Sequence, residues 1–409
     1  MKLALVVPSL LDGGGVPAVA RFVKDAALAS GDCELRVVSL AMSSRDPCNV
    51  CLTRPASWLR GVGFTPGEWE GLPVRHVGAV LGEFEFQRYR PRAALARALA
   101  GCDAIQVVAG SPAWANAVFG LGAPVSIHVA TRALVERRRR DADPHGALAR
   151  WRRAMTRVTD RLDDLALQRA DAIQVMNPAM LAHAHGLVGE RGIDIRLAPP
   201  GVDAAYFRPM DERRPGDGPT ILCVGRLADP RKNIELLLEA FAVLRTLVDA
   251  ATRLVLAGSS APPARFWRRV EDLGIGEQVH FFERPDRATL ARLYRTASVF
   301  ALPSDEEGFG MVLLEAMASG VPVVATRCGG PEGIVTDAED GFLVPRGDAA
   351  AMARRLALLL SDPQRNVAMG RSARSTVERR FEQRIAAATF VDVWQRLARA
   401  PGGTTHARA

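Results

Sequence analysis

The sequence predicts an α/β protein built from two parallel-sheet domains, and three observations carry that prediction. At 409 residues the chain has length for two or three domains with large cores. Short apolar runs of strand length, stopped by glycine, proline and polar clusters, alternate with stretches of helical spacing. The polar, Pro/Gly-rich stretch 211–219 then separates two such series, each opening on a strand, a loop and a helix.

Composition narrows the class. Hydrophobic residues are 48%, charged residues 24% and aromatics 6%, an ordinary balance for a soluble globular chain. No apolar run reaches the ~18 residues of a membrane span. Residues 3–7 pass straight into a glycine loop, so no signal peptide is expected. The net charge of +8 favours anionic partners. Only Lys2, Lys24 and Lys232 are lysines, which makes Lys232 conspicuous where it falls. Of six cysteines, Cys48 and Cys51 alone form a C-x-x-C, with no second pair and no nearby histidine to complete a zinc site. A reducing, cytoplasmic setting is expected, with metal binding or pairing of Cys48 and Cys51 as the minor reading.

Along the first domain, 3–7 reads as a buried strand, 8–15 as a glycine loop, 16–28 as a helix and 34–40 as a second strand. Gly13, Gly14, Gly15 and Ala18 satisfy a G-x-G-x-x-A pattern. Their glycines lie well beyond the strand, however, and no acid ends the second strand, so a dinucleotide site is disfavoured. Residues 41–75 show little periodicity and read as an irregular excursion suited to specificity-bearing loops. A helix over 91–100 has Pro91 at its first position, where the missing N–H does no harm. Strands follow at 104–108 and 124–129. The second ends near His128, facing the crevice where parallel sheets bind ligands; taken alone, such a histidine is more often structural. The arginines Arg137, Arg138, Arg139, Arg140, Arg150, Arg152, Arg153, Arg157 and Arg161 lie on or before a long helix to 169. They read first as a solvated face, with a patch for an anionic membrane or polyanionic acceptor as the sharper alternative. Asp141 and Asp143 mimic a metal-binding D-x-D but lack a presenting strand and read as loop. A strand at 171–175 precedes a helix starting at Asn177 and Pro178.

The second domain opens on a strand at 220–224, followed by Gly225, Arg226 at the strand end and Lys232 at the start of a helix. Two cations directed to one crevice suit a diphosphate. Further strands are expected at 253–257, 278–282, 298–302 and 321–326, and two Ala/Arg/Leu-rich helices close the chain. After the strand at 298–302 comes a turn with Glu307, Gly308, Phe309 and Gly310. A helix from Met311 then carries Val312 and Glu315. The glycines permit close backbone approach, and a helix start offers free N–H groups to an anion. Two carboxylates beside such a site suit hydroxyl groups, and therefore a sugar.

The match at Glu307, Gly308, Phe309, Gly310 and Glu315 resembles the Glu-x7-Glu signature of the family-4 retaining nucleotide-sugar glycosyltransferases. The resemblance covers nearly the whole chain, closely over 220–348 and more loosely before 199. It implies the GT-B architecture: two Rossmann-like, doubly wound parallel-sheet domains facing a central cleft. The domains are then 1–199 and 220–384, joined by a linker over 200–219, with a last helix near 385–398 packing back on the first domain. By this resemblance Arg226, Lys232 and the amides near Met311 and Val312 hold the leaving diphosphate. Glu307, Phe309 and Gly310 fix the donor sugar with His128, Glu315 holds the ribose, and Arg284 contacts the base. Gly14 and Gly15 approach the donor phosphate, and Gly225 lies beside the cations. Catalysis is expected from His128, Arg226, Lys232 and Glu307, without a metal or other cofactor.

The implied substrates are a nucleotide-diphosphate sugar, with uridine the commoner base, and a hydroxyl acceptor that the sequence does not specify. No nucleic-acid partner is expected. The setting is cytoplasmic, with the inner membrane face as the place for any peripheral contact. Three rivals stand beside this reading: a sugar-phosphate synthase or phosphorylase, a catalytically silent nucleotide-binding partner subunit, and an NAD-dependent oxidoreductase.

Overall fold

The computed structural model describes residues 1–8, 10, 15–31, 33–141, 145–210, 218–248 and 252–399, with backbone alone at 139 and 140. The chain forms two compact units, one of Met1–Pro200 with Ala386–Ala409 and the other of Gly201–Ile385.

The first unit contains β1 (Lys2–Pro8), β2 (Glu34–Leu40), β3 (Phe64–Trp69), β4 (Leu72–Val77), β5 (Ala104–Ala109), β6 (Val125–Val129), β7 (Ala172–Val175) and β8 (Asp194–Leu197). They lie in the order β3-β4-β2-β1-β5-β6-β7-β8. All pairings are parallel except that of β3 with β4. Central strands such as β1 and β5 are buried on both faces, which is why they read as continuous apolar runs. Residues after Ala386 return to this unit through the helix Gln383–Arg399. Its Phe390 packs edge-on against Phe22 and His128, and Trp394 donates from Nε1 to Gln106 at 2.7 Å.

Three expectations need correction. The stretch 41–75 is less irregular than expected, since it includes the edge hairpin of β3 and β4. β3 carries Pro66 and Gly67 and is largely exposed, so it shows no alternation, and an edge position tolerates the proline. Glu70 and Gly71 both adopt positive φ, as a two-residue hairpin turn requires. β8, a strand that the sequence reading does not assign, closes the other edge of the sheet. The helix expected from Pro91 begins at Ala93, leaving Pro91 before its cap. Three helices, not two, close the chain: Ala349–Ser361, Pro363–Arg380 and Gln383–Arg399. Asp362 breaks the first two apart by accepting from Arg365 N, with Pro363 opening the next helix.

The second unit contains β9 (Thr220–Val224), β10 (Arg253–Gly258), β11 (Val279–Glu283), β12 (Val299–Leu302), β13 (Val323–Thr326) and β14 (Gly341–Val344). The order is β11-β10-β9-β12-β13-β14, all parallel. Successive strands run outward first to one side of β9 and then to the other, which makes the β9/β12 boundary the topological switch point. Of the expected linker, 201–210 is packed within this unit: Arg374 donates to the carbonyls of Ala204 and Phe207, each at 2.8 Å. The stretch 211–217 lies outside the described residues. Among the described residues no helix is long and apolar enough to cross a membrane.

Candidate functional site

The switch point of the second unit brings together the loops that leave β9 and β12. After β9 comes Gly225, over which the methylenes of Lys232 lie at 3.9 Å from where a Cβ would stand. Asp229 organises the turn, accepting from Arg231 N at 3.0 Å and pairing with Arg226 at 3.3 Å and Arg231 at 2.8 Å. Burial acts to raise its carboxyl, and the Arg231 and Arg226 guanidiniums outweigh that and hold it below the ordinary range. The β12 loop is tied to the same turn. Asp305 N donates to Arg231 O at 2.8 Å, and Asn233 Nδ2 donates to Asp305 Oδ1 at 2.9 Å. Lys232 Nζ meets the Glu307 carboxylate, both side chains being mostly buried.

The turn after Glu307 is set by backbone constraints. Gly310 caps the helix Met311–Ala318 with φ of 110°, a left-handed conformation suited to glycine. The amides of Met311 and Val312 open that helix and have no carbonyl one turn back within it. Beneath the turn lies Gly330, where a Cβ would stand 2.4 Å from Phe309 O and 2.7 Å from Glu307 O. Phe309 itself is buried, whereas Gly308, Met311 and Val312 remain partly exposed. One turn into the helix, Glu315 accepts from the Tyr294 hydroxyl at 2.7 Å. Tyr294 is fully buried, and burial together with the Glu315 charge pushes its hydroxyl well above the ordinary range, so it remains a donor. Tyr294→Phe should therefore destabilise the protein by about 1–2 kcal/mol, leaving Glu315 short of a donor. Denaturant unfolding of the variant checks this; an unchanged midpoint would contradict it.

Arg284 sits at the end of β11, exposed and with φ of 46°, its Nε donating to Ser259 O at 3.3 Å. Burial pushes the Cys223 and Cys328 thiols up to about 12, so neither supplies a thiolate near Lys232. Sequence reasoning missed Asp229, Asn233, Asp305 and Tyr294. The Asp229-Pro230 pair was a legible cap signal, but Tyr294 is an ordinary apolar position of its helix until the fold sets it beside Glu315.

The first unit treats its candidates differently. Gly14 lies outside the described residues, and Gly15 begins the helix Gly15–Ala29 with open space where its Cβ would be. His128, expected to touch a sugar, is fully buried in β6; its Nε2 is 2.8 Å from Ala198 O and its ring packs on Phe390. In this conformation it presents no surface to a ligand. Burial pushes it down to about 4, so the folded chain holds it neutral where an unfolded histidine, near pKa ~6.5, is charged. Its contribution is thus intact above about pH 6.5 and is lost as pH falls towards 4. Melting temperatures across that range should fall less steeply for His128→Gln than for the wild type. Parallel slopes would contradict the assignment.

The basic stretch is also divided. Arg137 is turned inward onto Glu85, which also accepts from the Tyr89 hydroxyl at 2.7 Å, so it does not belong to an outward patch. Arg150, Arg152, Arg157 and Arg161 are exposed on the helix Ala147–Arg169, beside exposed Leu148 and Trp151.

The family model for glycosyl transferases group 1 matches residues 209–376. A GDP-mannose-dependent alpha-(1-6)-phosphatidylinositol monomannoside mannosyltransferase from Mycobacterium tuberculosis is 30% identical over 295 residues, covering 67% of this chain and 74% of that protein. The chain belongs to the group 1 glycosyltransferases. A mannosyltransferase of the same name from Mycolicibacterium smegmatis is 37% identical over 191 residues, 43% of this chain and 50% of that protein. The chain thus spans about half the length of the first curated relatives it matches. Among solved structures, sucrose-phosphate synthase from Thermosynechococcus elongatus superposes with a TM-score of 0.73 at 23% identity, covering 98% of this chain and 100% of that one. That likeness shows the GT-B fold.

Proposed function

We propose that this group 1 glycosyltransferase is a metal-independent, retaining enzyme that moves a sugar from a nucleotide-diphosphate sugar to a hydroxyl acceptor. The observation that carries the reading is the meeting of Lys232 with Glu307 at the head of the helix Met311–Ala318, on the switch point of the second unit. Lys232, Arg226 and the amides of Met311 and Val312 supply positive potential for a departing diphosphate, the part a metal plays elsewhere. Glu307, freed from Lys232 by the diphosphate, accepts from sugar hydroxyls along the turn of Gly308, Phe309 and Gly310. Glu315, oriented by Tyr294, receives the ribose, and Arg284 lies on the side of the base. The bond from the anomeric carbon to the phosphate oxygen breaks as the bond to the acceptor oxygen forms on the same face. The acceptor proton passes to the leaving phosphate.

Uridine is the base that family frequency favours, and the GDP-mannose names of two relatives support guanosine as the alternative. The acceptor is a hydroxyl compound of glycan, glycolipid or natural-product synthesis. Exposed Arg150, Arg157 and Arg161 recur along one side of their helix with Leu148 and Trp151 nearby, which supports peripheral contact with an anionic membrane or polyanionic acceptor from the cytoplasmic side.

The test is transfer by the purified chain from UDP- and GDP-sugars to a panel of polyol, inositol phosphate and glycolipid acceptors, with the product anomer read by NMR. Transfer with the donor's anomeric configuration supports the proposal. An inverted product overturns the retaining mechanism, and turnover with inorganic phosphate alone favours the phosphorylase reading.

A further inference from the structure

The excursion between β2 and β4 holds a second cluster of chemically capable side chains, in the first unit and independent of the sugar-transfer reading. The sheet register places Ser39 of β2, His76 of β4 and Thr65 of β3 in one row, because both Ser39 and Thr65 pair directly with His76. Directly paired residues point to the same face. Over that row lies the loop carrying Asp46 and Cys48. Asp46 Oδ2 is 2.8 Å from His76 Nε2, and Cys48 Sγ is 3.0 Å from Thr65 Oγ1. One ligand atom from each of Asp46, Cys48 and His76 lies within 4.8 Å of the others. The nearby histidine that a zinc site needs is absent from the sequence around Cys48, and strand pairing supplies it.

The loop is held in place by other bonds. Fully buried Asn49 accepts from Ala79 N at 2.7 Å and donates to Ser43 O at 2.9 Å. Gly63 N donates to Cys48 O at 3.0 Å, and a Cβ at Gly78 would stand only 1.9 Å from that same oxygen. Cys48 and Asp46 are therefore presented to His76 by the backbone. His76 Nδ1 sits 3.0 Å from Ser39 Oγ, the kind of outer partner that fixes a ring and directs its other nitrogen to a metal. Cys51, despite the C-x-x-C spacing, faces away: its thiol lies 3.5 Å from Ser44 O and 2.8 Å from an Arg54 nitrogen.

We propose that Asp46, Cys48 and His76 form a binding site for a zinc-class divalent ion that clamps this loop to the sheet edge. Thiolate, imidazole and carboxylate together select a borderline ion such as zinc over magnesium or calcium, and three protein ligands leave a fourth position for water. A metal takes thiolate sulfur and an unprotonated imidazole nitrogen, so binding releases protons and affinity rises with pH.

The experiment uses the full, untagged chain, reduced and stripped of metal, titrated with Co²⁺ and then with Zn²⁺. The expected result is one equivalent of cobalt with a near-ultraviolet thiolate charge-transfer band, abolished by zinc. The band is expected to vanish in Cys48→Ser and His76→Ala and to persist in Cys51→Ser. Ser39→Ala should weaken affinity about 10–100-fold. Absence of the band and of zinc uptake in the wild type would leave Asp46 and His76 as a plain hydrogen-bonded pair and overturn the proposal. Loss of the band in Cys51→Ser with retention in His76→Ala would overturn it in favour of a C-x-x-C site. The wild-type spectrum decides the matter even where a variant fails to fold.

Discussion

Replacing Lys232 by alanine is expected to lower sugar transfer by about 10²–10³-fold, the loss seen when one preorganised charge-stabilising donor is removed from a transition state. The ammonium is the cation that meets Glu307, and its stem lies over Gly225, so it is aimed by packing as well as by charge. Its removal also leaves the mostly buried Glu307 carboxylate without that partner, which itself costs stability. The two effects separate in a double variant. Lys232→Met with Glu307→Gln leaves no orphaned charge at the pair, so it should melt near the wild type and still be inactive. Full activity in a folded Lys232→Ala protein would remove this residue from the mechanism.

Gly330→Ala is expected to have the second-largest effect, and for a steric reason. The new methyl group would press on the carbonyl oxygens of Phe309 and Glu307, which are backbone atoms with no rotamer to retreat into. The turn carrying Glu307 and Gly310 must shift, and a displacement of about 1 Å in such a turn can cost about 10²-fold in rate. Destabilisation of about 1–3 kcal/mol should accompany it. Gly276→Ala is the control, since nothing lies within 4 Å of its Cβ position and its φ lies outside the left-handed range. Equal donor affinity in Gly330→Ala and Gly276→Ala would contradict the steric account.

Much of the second unit was legible because β9 and β12 are buried on both faces and are followed by glycine or proline. The strand Thr220–Val224 and the start of the helix at Met311 lie where periodicity and punctuation put them. The pairing of Lys232 with Glu307 joins residues 75 positions apart, which no local pattern reveals. The edge strands β3 and β8 escaped for the opposite reason: their side chains are largely exposed or half-buried, so apolar alternation never develops. His128 is fully buried, as a histidine taken alone at such a strand end most often is, and its contact with a sugar was an expectation of the resemblance only. Being near the carboxyl end of β6 placed it by the crevice, but the return of Phe390 onto the same sheet seals it in. That contact joins residues far apart in the chain, and the sequence around His128 carries no trace of it. Cys48 and His76 are brought together in the same way, by the register of β2, β4 and β3.

The most direct test of the central claim is calorimetric titration of the wild type and Lys232→Ala with UDP, GDP and their sugar conjugates, with and without a chelator. The account predicts one diphosphate site of defined base preference, unchanged by chelation and strongly weakened in the variant. Equal affinity in the two proteins, or no binding by any nucleoside diphosphate, would contradict it.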